Sequence, residues 1–150
     1  MVTRLPLYLL FSIVLLSTCS EEDDCVDSSL SLDDFIAGDS SSVETGERGL
    51  RYTILEAGSP NRPELDNAVT VEYTGYTTDR DTFDATTTGE PRTFPLRSLI
   101  TGWQLGIPLI GAGGRIRLYV PSALGYGTNS AGNICPNTDL VFDIDLIDFE

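Results

Sequence analysis

Aromatic and apolar side chains gather among glycines in three stretches of this chain. Leu99-Ile100-Thr101-Gly102-Trp103-Gln104-Leu105-Gly106 carries the only tryptophan of the 150 residues. Pro121-Ser122-Ala123-Leu124-Gly125-Tyr126-Gly127 follows, and Asp139-Leu140-Val141-Phe142-Asp143-Ile144-Asp145-Leu146 comes last. Together they are expected to line one pocket. What the chain lacks narrows the chemistry of that pocket. There is no histidine, which removes Ser-His-Asp and Cys-His constellations and any histidine-based zinc site. Three scattered cysteines make no other metal site. Gly111-Ala112-Gly113-Gly114 has neither the lysine nor the spacing of a phosphate-binding loop. Asp79, Asp81 and Asp84 lack the glycine and distal glutamate of a calcium loop and read as an acidic hairpin turn. No pair of carboxylates stands out as a hydrolytic acid and base. No metal and no cofactor is expected, and the chemistry left is that of a pocket without a nucleophile. Taken singly, Trp103 reads as plain core, Tyr73 and Phe142 as strand interior, Asp84 as a turn residue and Tyr126 as a loop aromatic.

The elements that must position these residues follow from periodicity. Leu50, Tyr52 and Ile54 alternate with polar residues and predict a strand, which Gly58-Ser59-Pro60-Asn61 ends. Val69, Val71 and Tyr73 alternate with Thr70, Glu72 and Thr74, the pattern of a half-buried strand. Phe83, then Phe94 with Leu96, mark one or two further short strands. Ile100 and Trp103 stand at helical spacing, and the nearby glycines keep that helix short. Ile116, Leu118 and Val120 alternate with Arg115, Arg117 and Tyr119 until Pro121 ends the strand. Leu140, Phe142, Ile144 and Leu146 form the last strand, with Asp143 and Asp145 facing out. Several antiparallel strands and one short helix predict an α+β domain over residues 49–150: a curved antiparallel β-sheet wrapped around one short α-helix.

The segments before it read differently. Residues 1–18 carry Arg4 and then an apolar run from Leu5 to Leu16, too short to span a bilayer comfortably and shaped like a signal-peptide core. Leu16-Ser17-Thr18-Cys19 resembles a bacterial lipobox, which would make Cys19 a lipidated first residue. The other readings are an ordinary secretory signal and an uncleaved anchor. Residues 19–48 form an acidic, Ser-rich tether. Within it Leu32, Phe35 and Ile36 suggest a short amphipathic helix over 31–38 that ends at Gly38, and Asp39 to Glu47 reads as a linker. Cys25 and Cys135 are then either a disulfide or two free thiols. The net charge is −14, with no lysine. That balance argues against nucleic acid, whose phosphates it would repel. It fits a solvated acidic surface or an adaptation to high salt.

The order of motifs from Leu50 to Phe149 resembles the FKBP-type peptidyl-prolyl isomerases, secreted bacterial members in particular. Val69-Thr70-Val71-Glu72-Tyr73-Thr74-Gly75 is similar to the family's V-x-V-x-Y-T-G strand. Thr82-Phe83-Asp84 is similar to its F-D step, and Phe94 to its next pocket phenylalanine. Leu99-Ile100-Thr101-Gly102-Trp103 is similar to V-I-x-G-W, Leu124-Gly125-Tyr126-Gly127 to the A-Y-G turn, and Leu140-Val141-Phe142-Asp143 to L-V-F-D. The resemblance implies an active pocket built from Tyr73, Asp84, Ile100, Trp103, Tyr126 and Phe142, with Phe83, Phe94, Leu99 and Ile134 contacting substrate. It places the tryptophan under the substrate proline, the Ile100 N–H and Tyr126 hydroxyl as donors to carbonyls, and the Asp84 carboxylate beside the twisting carbonyl. On that reading the glycines around Trp103 let backbone approach the bound proline ring.

The implied activity is isomerisation of X–Pro bonds in exported proteins. The partners would be proline-containing polypeptides, macrolides of the FK506 type, and a membrane reached through the lipid anchor of a cell-envelope lipoprotein. The alternative is a non-catalytic module that holds proline-containing segments on the same tether. Four features depart from the family pattern. Arg80 replaces a turn glycine, and the stretch from Thr86 to Thr93 is longer. Arg92 is the only candidate offered as a partner for Asp84. Cys135 takes the first place of a Pro-Pro pair, leaving Pro136 beyond a short polar loop.

Overall fold

Strict alternation along two long strands sets the architecture, because each then has one apolar face to bury. The computed structural model describes residues 30–39 and 42–150. The signal-like segment with Cys19, and Cys25 after it, lie outside the described residues. In chain order the elements are helix α1 (Leu32–Ala37), strands β1 (Glu44–Thr45), β2 (Arg51–Glu56), β3 (Ala68–Thr77), β4 (Thr82–Ala85) and β5 (Arg92–Pro95), helix α2 (Thr101–Gly106), and strands β6 (Gly114–Val120) and β7 (Leu140–Phe149). The strands form one antiparallel sheet in the order β1-β2-β6-β7-β3-β4, with β5 also pairing to β3. β3 and β7 run together from Val69 opposite Phe149 to Thr77 opposite Leu140. The expected α+β architecture, a curved sheet around a short helix, is what forms.

The inner face carries Val69, Val71, Ile116, Leu118, Val120, Ile144 and Leu146, all fully buried against Trp103 and Ile107. Each such side chain contributes about 1.5–3 kcal/mol by leaving water. Helix α2 lies on this face through its glycines. A Cβ on Gly102 would stand 2.6 Å from Val120 Cγ1, and one on Gly106 2.5 Å from Leu118 Cδ2. This corrects the sequence-based explanation of these residues. Gly102 and Gly106 open the way for the helix to meet β6, and the close approach is helix to sheet rather than backbone to ligand.

The outer face is polar along β6 and β7, and its charges are matched by register. Arg115 faces Asp145 and Arg117 faces Asp143 across the two strands. Residues of the N-terminal segment cover part of this face. Ser31 caps α1 by accepting from the Asp34 N–H at 3.2 Å. Leu32 and Phe35 then bury against Tyr119 and Val141 in a second apolar cluster. Asp39 accepts from Arg117 at 2.8 Å and from the Tyr119 hydroxyl at 2.7 Å. Further on, β1 pairs with the start of β2.

Candidate active site

The pocket opens on the inner face, between α2 and the β3–β4 edge of the sheet. Tyr73 reaches it from β3 and Phe142 from β7, because both fall on the inward phase of their strands. Phe83 and Asp84 come from β4, Phe94 from β5, and Leu99, Ile100 and Trp103 from the entry to α2. With Tyr126 these residues line one cavity of about 170 Å³.

Its floor is a relay of interlocked rings. Trp103 meets Tyr73 edge to face at 5.0 Å between centroids and Phe142 at 5.3 Å. Phe142 in turn meets Phe83 at 5.6 Å, and Tyr73 meets Phe94 at 6.3 Å. Edge-to-face pairs add about 0.5–1.5 kcal/mol each beyond burial and fix the orientation of the rings. Gly75 makes room for this arrangement, since a Cβ there would lie 2.7 Å from the Phe142 ring and 2.8 Å from Phe83. Trp103 is almost wholly buried, and its Nε1–H has no acceptor among the described residues.

Polar groups sit at one wall. The Tyr73 hydroxyl donates to Asp84 Oδ2. Arg92 Nη1 lies 3.3 Å from the Tyr73 oxygen and 3.4 Å from Asp84 Oδ1, so the candidate partner from the long stretch does reach the carboxylate. Burial, then the bond and charge of Asp84, push the Tyr73 phenol up to about 12, and Arg92 opposes that shift. The phenol therefore stays protonated and keeps donating at neutral pH.

Two further groups prepare the opposite wall. Ile100 is the N-cap of α2, and its N–H has no acceptor among the described residues. Gln104, which the sequence did not single out, donates from Nε2 to the carbonyls of Leu99 at 2.7 Å and Arg97 at 3.1 Å. It pins the turn that presents Leu99 and Ile100. Only its place one turn into a short helix hinted at this. Tyr126 stands at the mouth, 38% exposed, with its hydroxyl available to an occupant.

Ile134 departs from expectation. It is buried in the main core and does not line the cavity, because a tight turn closed between Ala131 and Ile134 folds it inward. Cys135, next to it, is disulfide-bonded. The partner lies outside the described residues. The loop it belongs to is tied at its base by the Asn137 N–H donating to the Gly127 carbonyl at 2.7 Å.

A curved antiparallel sheet closes on a short helix, and an aromatic-lined cavity lies at their junction. The sequence pattern described as "FKBP-type peptidyl-prolyl cis-trans isomerase" matches residues 59–147. A solved isomerase structure from Pseudomonas syringae pv. tomato is 34% identical, with a TM-score of 0.71, covering 79% of this chain and 90% of that one. The chain belongs to the FKBP-type peptidyl-prolyl cis-trans isomerase family. It is 35% identical to the FkpA isomerase of Aeromonas hydrophila, over 90% of this chain and 52% of the relative. It is 43% identical to the protein named outer membrane protein MIP of Legionella longbeachae, over 66% of this chain and 43% of the relative. The chain thus spans about half the length of the curated relatives it matches.

Proposed function

We propose that this chain accelerates cis-trans isomerisation of X–Pro bonds in exported polypeptides. The observation that carries the reading is convergence. Residues from β3, β4, β5, α2, β7 and the Tyr126 turn, far apart in the chain, meet around one cavity whose floor is Trp103. Rotation about an X–Pro bond faces a barrier of about 18–20 kcal/mol because the planar amide is resonance-stabilised. The twisted state loses that resonance, and its carbonyl oxygen is less polar. A dry aromatic cavity favours it over the planar amide, which is better solvated by water. In this reading the proline ring rests on Trp103 between Tyr73 and Phe142. The Ile100 N–H and the Tyr126 hydroxyl hold flanking carbonyls, and Asp84 stands beside the twisting one. No proton moves. A barrier lowered by ~4 kcal/mol gives a rate about a thousandfold higher.

The test is exchange spectroscopy on a proline-containing peptide, with binding followed by the fluorescence of the lone Trp103. Faster exchange supports catalysis. Binding without acceleration supports the holding module instead, and absence of both binding and acceleration overturns the pocket assignment. Macrolides of the FK506 type are expected to compete for the same cavity.

The same reading places the protein in the bacterial cell envelope, anchored through lipid on Cys19. The lipobox-like Leu16-Ser17-Thr18-Cys19 supports this, as does the similarity to the relative named outer membrane protein MIP. With Cys19 lipidated, Cys25 is the remaining partner for Cys135. Mass spectrometry of the mature N-terminus and of disulfide-linked peptides decides both points: an unmodified Cys19 refutes the anchor, and a Cys19–Cys135 peptide refutes the pairing.

A further inference from the structure

The β3–β4 hairpin carries Tyr73, Phe83 and Asp84, yet it stands at the edge of the sheet, where β4 pairs only with β3 among the described residues. Its pairing is interrupted by a register shift between Gly75 and Tyr76. What steadies it from behind is the N-terminal segment. Phe35 of α1 is buried against the outer face, 6.3 Å between centroids from Tyr76 of β3 and 6.3 Å from Tyr119 of β6. The Arg80 guanidinium, from the turn of the hairpin, lies 5.0 Å above the same ring. Tyr76 also donates to Asp143, which accepts from Arg117 at 2.6 Å, and Arg117 holds Asp39 at the end of the same segment.

Arg80 itself points to a purpose. It adopts φ 69°, a left-handed conformation in which a glycine avoids the Cβ penalty. Yet the turn keeps an arginine, and its side chain caps the Phe35 ring. A cation over an aromatic face offsets a strained backbone of this size.

We propose that Phe35 and Arg80 are positioning residues for the pocket: they latch the catalytic hairpin from the opposite face of the sheet and so set where Phe83 and Asp84 stand. The inference rests on the isomerase reading for its kinetic consequence, but the latch itself is a statement about hairpin order. Tyr73 and Tyr76 explain how the two faces communicate. They are three apart on one strand and point to opposite sides, so a shift of β3 at Tyr76 is felt at the pocket wall.

The test uses the mature protein with Phe35→Ala, Phe35→Trp, Arg80→Gly and Arg80→Lys, at a temperature where each is fully folded by far-UV dichroism. Amide hydrogen exchange is read at Phe83, Asp84 and Ala85 in β4 against Ile116 and Leu118 in β6. The latch predicts that Phe35→Ala and Arg80→Gly speed exchange in β4 and leave β6 unchanged. It also predicts a fall in kcat/KM of about three- to tenfold, carried by kcat because Asp84 acts on the twisted state. Phe35→Trp and Arg80→Lys, which keep the ring and the cation, restore both. Should Phe35→Ala fail to fold, Arg80→Gly carries the test with Arg80→Lys as its control, since the glycine relieves the backbone and removes the side chain over Phe35 while the lysine keeps a cation there.

Exchange and kcat/KM within twofold of the parent in folded Arg80→Gly overturn the proposal. So does faster exchange that is equal in β4 and β6, or faster β4 exchange with the rate intact. A parent protein with no isomerase activity refutes the functional reading instead. The latch is then judged by β4 exchange together with macrolide affinity at Trp103, where loss of both in Arg80→Gly supports it and retention of either overturns it.

Discussion

Replacing Gly102 by alanine puts the helix–sheet contact to a direct test. The new methyl would stand 2.6 Å from Val120 Cγ1, 2.9 Å from Cγ2 and 3.3 Å from Cβ. Apolar carbons pack comfortably at about 3.5–4.0 Å, so the overlap is roughly 1 Å. Val120 has nowhere to go. It is fully buried, and branching at Cβ makes its χ1 stiff. Helix α2 must therefore lift from the sheet. Overpacking of this kind costs about 1–3 kcal/mol, and the better helix propensity of alanine returns at most about 1 kcal/mol. The net loss is about 1–2 kcal/mol, which for a domain of this size lowers Tm by about 5–10 °C. Trp103 is the next residue, so its ring withdraws from Tyr73 and Phe142. Misplacement by ~1 Å lowers isomerase kcat/KM about tenfold to a hundredfold. The assays are thermal unfolding followed by dichroism, Trp103 emission, and exchange kinetics on a proline peptide. A variant with unchanged or higher Tm but weakened ligand binding would refute this account. It would show that Gly102 serves approach of backbone to ligand after all.

Three other outcomes follow from the same geometry. Tyr126→Phe leaves stability within about 0.5 kcal/mol, because the side chain is half out of the fold. It weakens macrolide binding about fivefold through the lost hydroxyl, as measured by Trp103 quenching. Tyr73→Phe removes a donor from Asp84. Since that carboxylate is 47% exposed and water replaces part of the bond, the loss of stability in a denaturant titration is about 1 kcal/mol, with a fall in kcat/KM as Arg92 is left to place Asp84 alone. The pH–rate profile is flat between about pH 6 and 9, because no histidine exists to titrate there. The Tyr73 pKa is raised from 10 to about 12 in the fold. The stability this confers is complete below about pH 10 and is lost as pH rises through about 12. A sigmoid step in rate near neutrality would contradict this.

The outward charges of β6 and β7 bear on strand register more than on stability. Of the outward charges on β6 and β7, both arginines are matched to aspartates directly opposite, and both pairs are at least partly exposed. Exposed pairs contribute only ~0–1 kcal/mol each. Their stronger consequence is register, because a slip of β6 by one residue would part Arg115 and Arg117 from their aspartates and turn the apolar row of Ile116 and Leu118 outward.

Much of this protein was legible along the chain because strand alternation is a local signal. Val69-Val71-Tyr73 and Leu140-Phe142-Ile144-Leu146 announce both their strands and their inward faces. Those phases make Tyr73 and Phe142 inward residues of their strands, and the β3–β7 pairing puts them on the same side of one sheet. The order of short motifs did the rest for Phe83, Asp84, Phe94, Leu99, Ile100, Trp103 and Tyr126. Other features depended on what came to lie opposite in space. Gly102 and Gly106 could have served a ligand or a neighbouring strand, and only the place of Val120 and Leu118 decided between them. The resemblance implied a place for Ile134 on the pocket wall, but the turn at Ala131 carried it into the core. Arg92 is the candidate partner of Asp84 from its place in the long stretch, and the pairing of β5 with β3 brings it there. Phe35 read as one face of an isolated amphipathic helix. Which surface that face covers is a property of the folded sheet, because burial is a relation between residues distant in sequence and no local pattern records it.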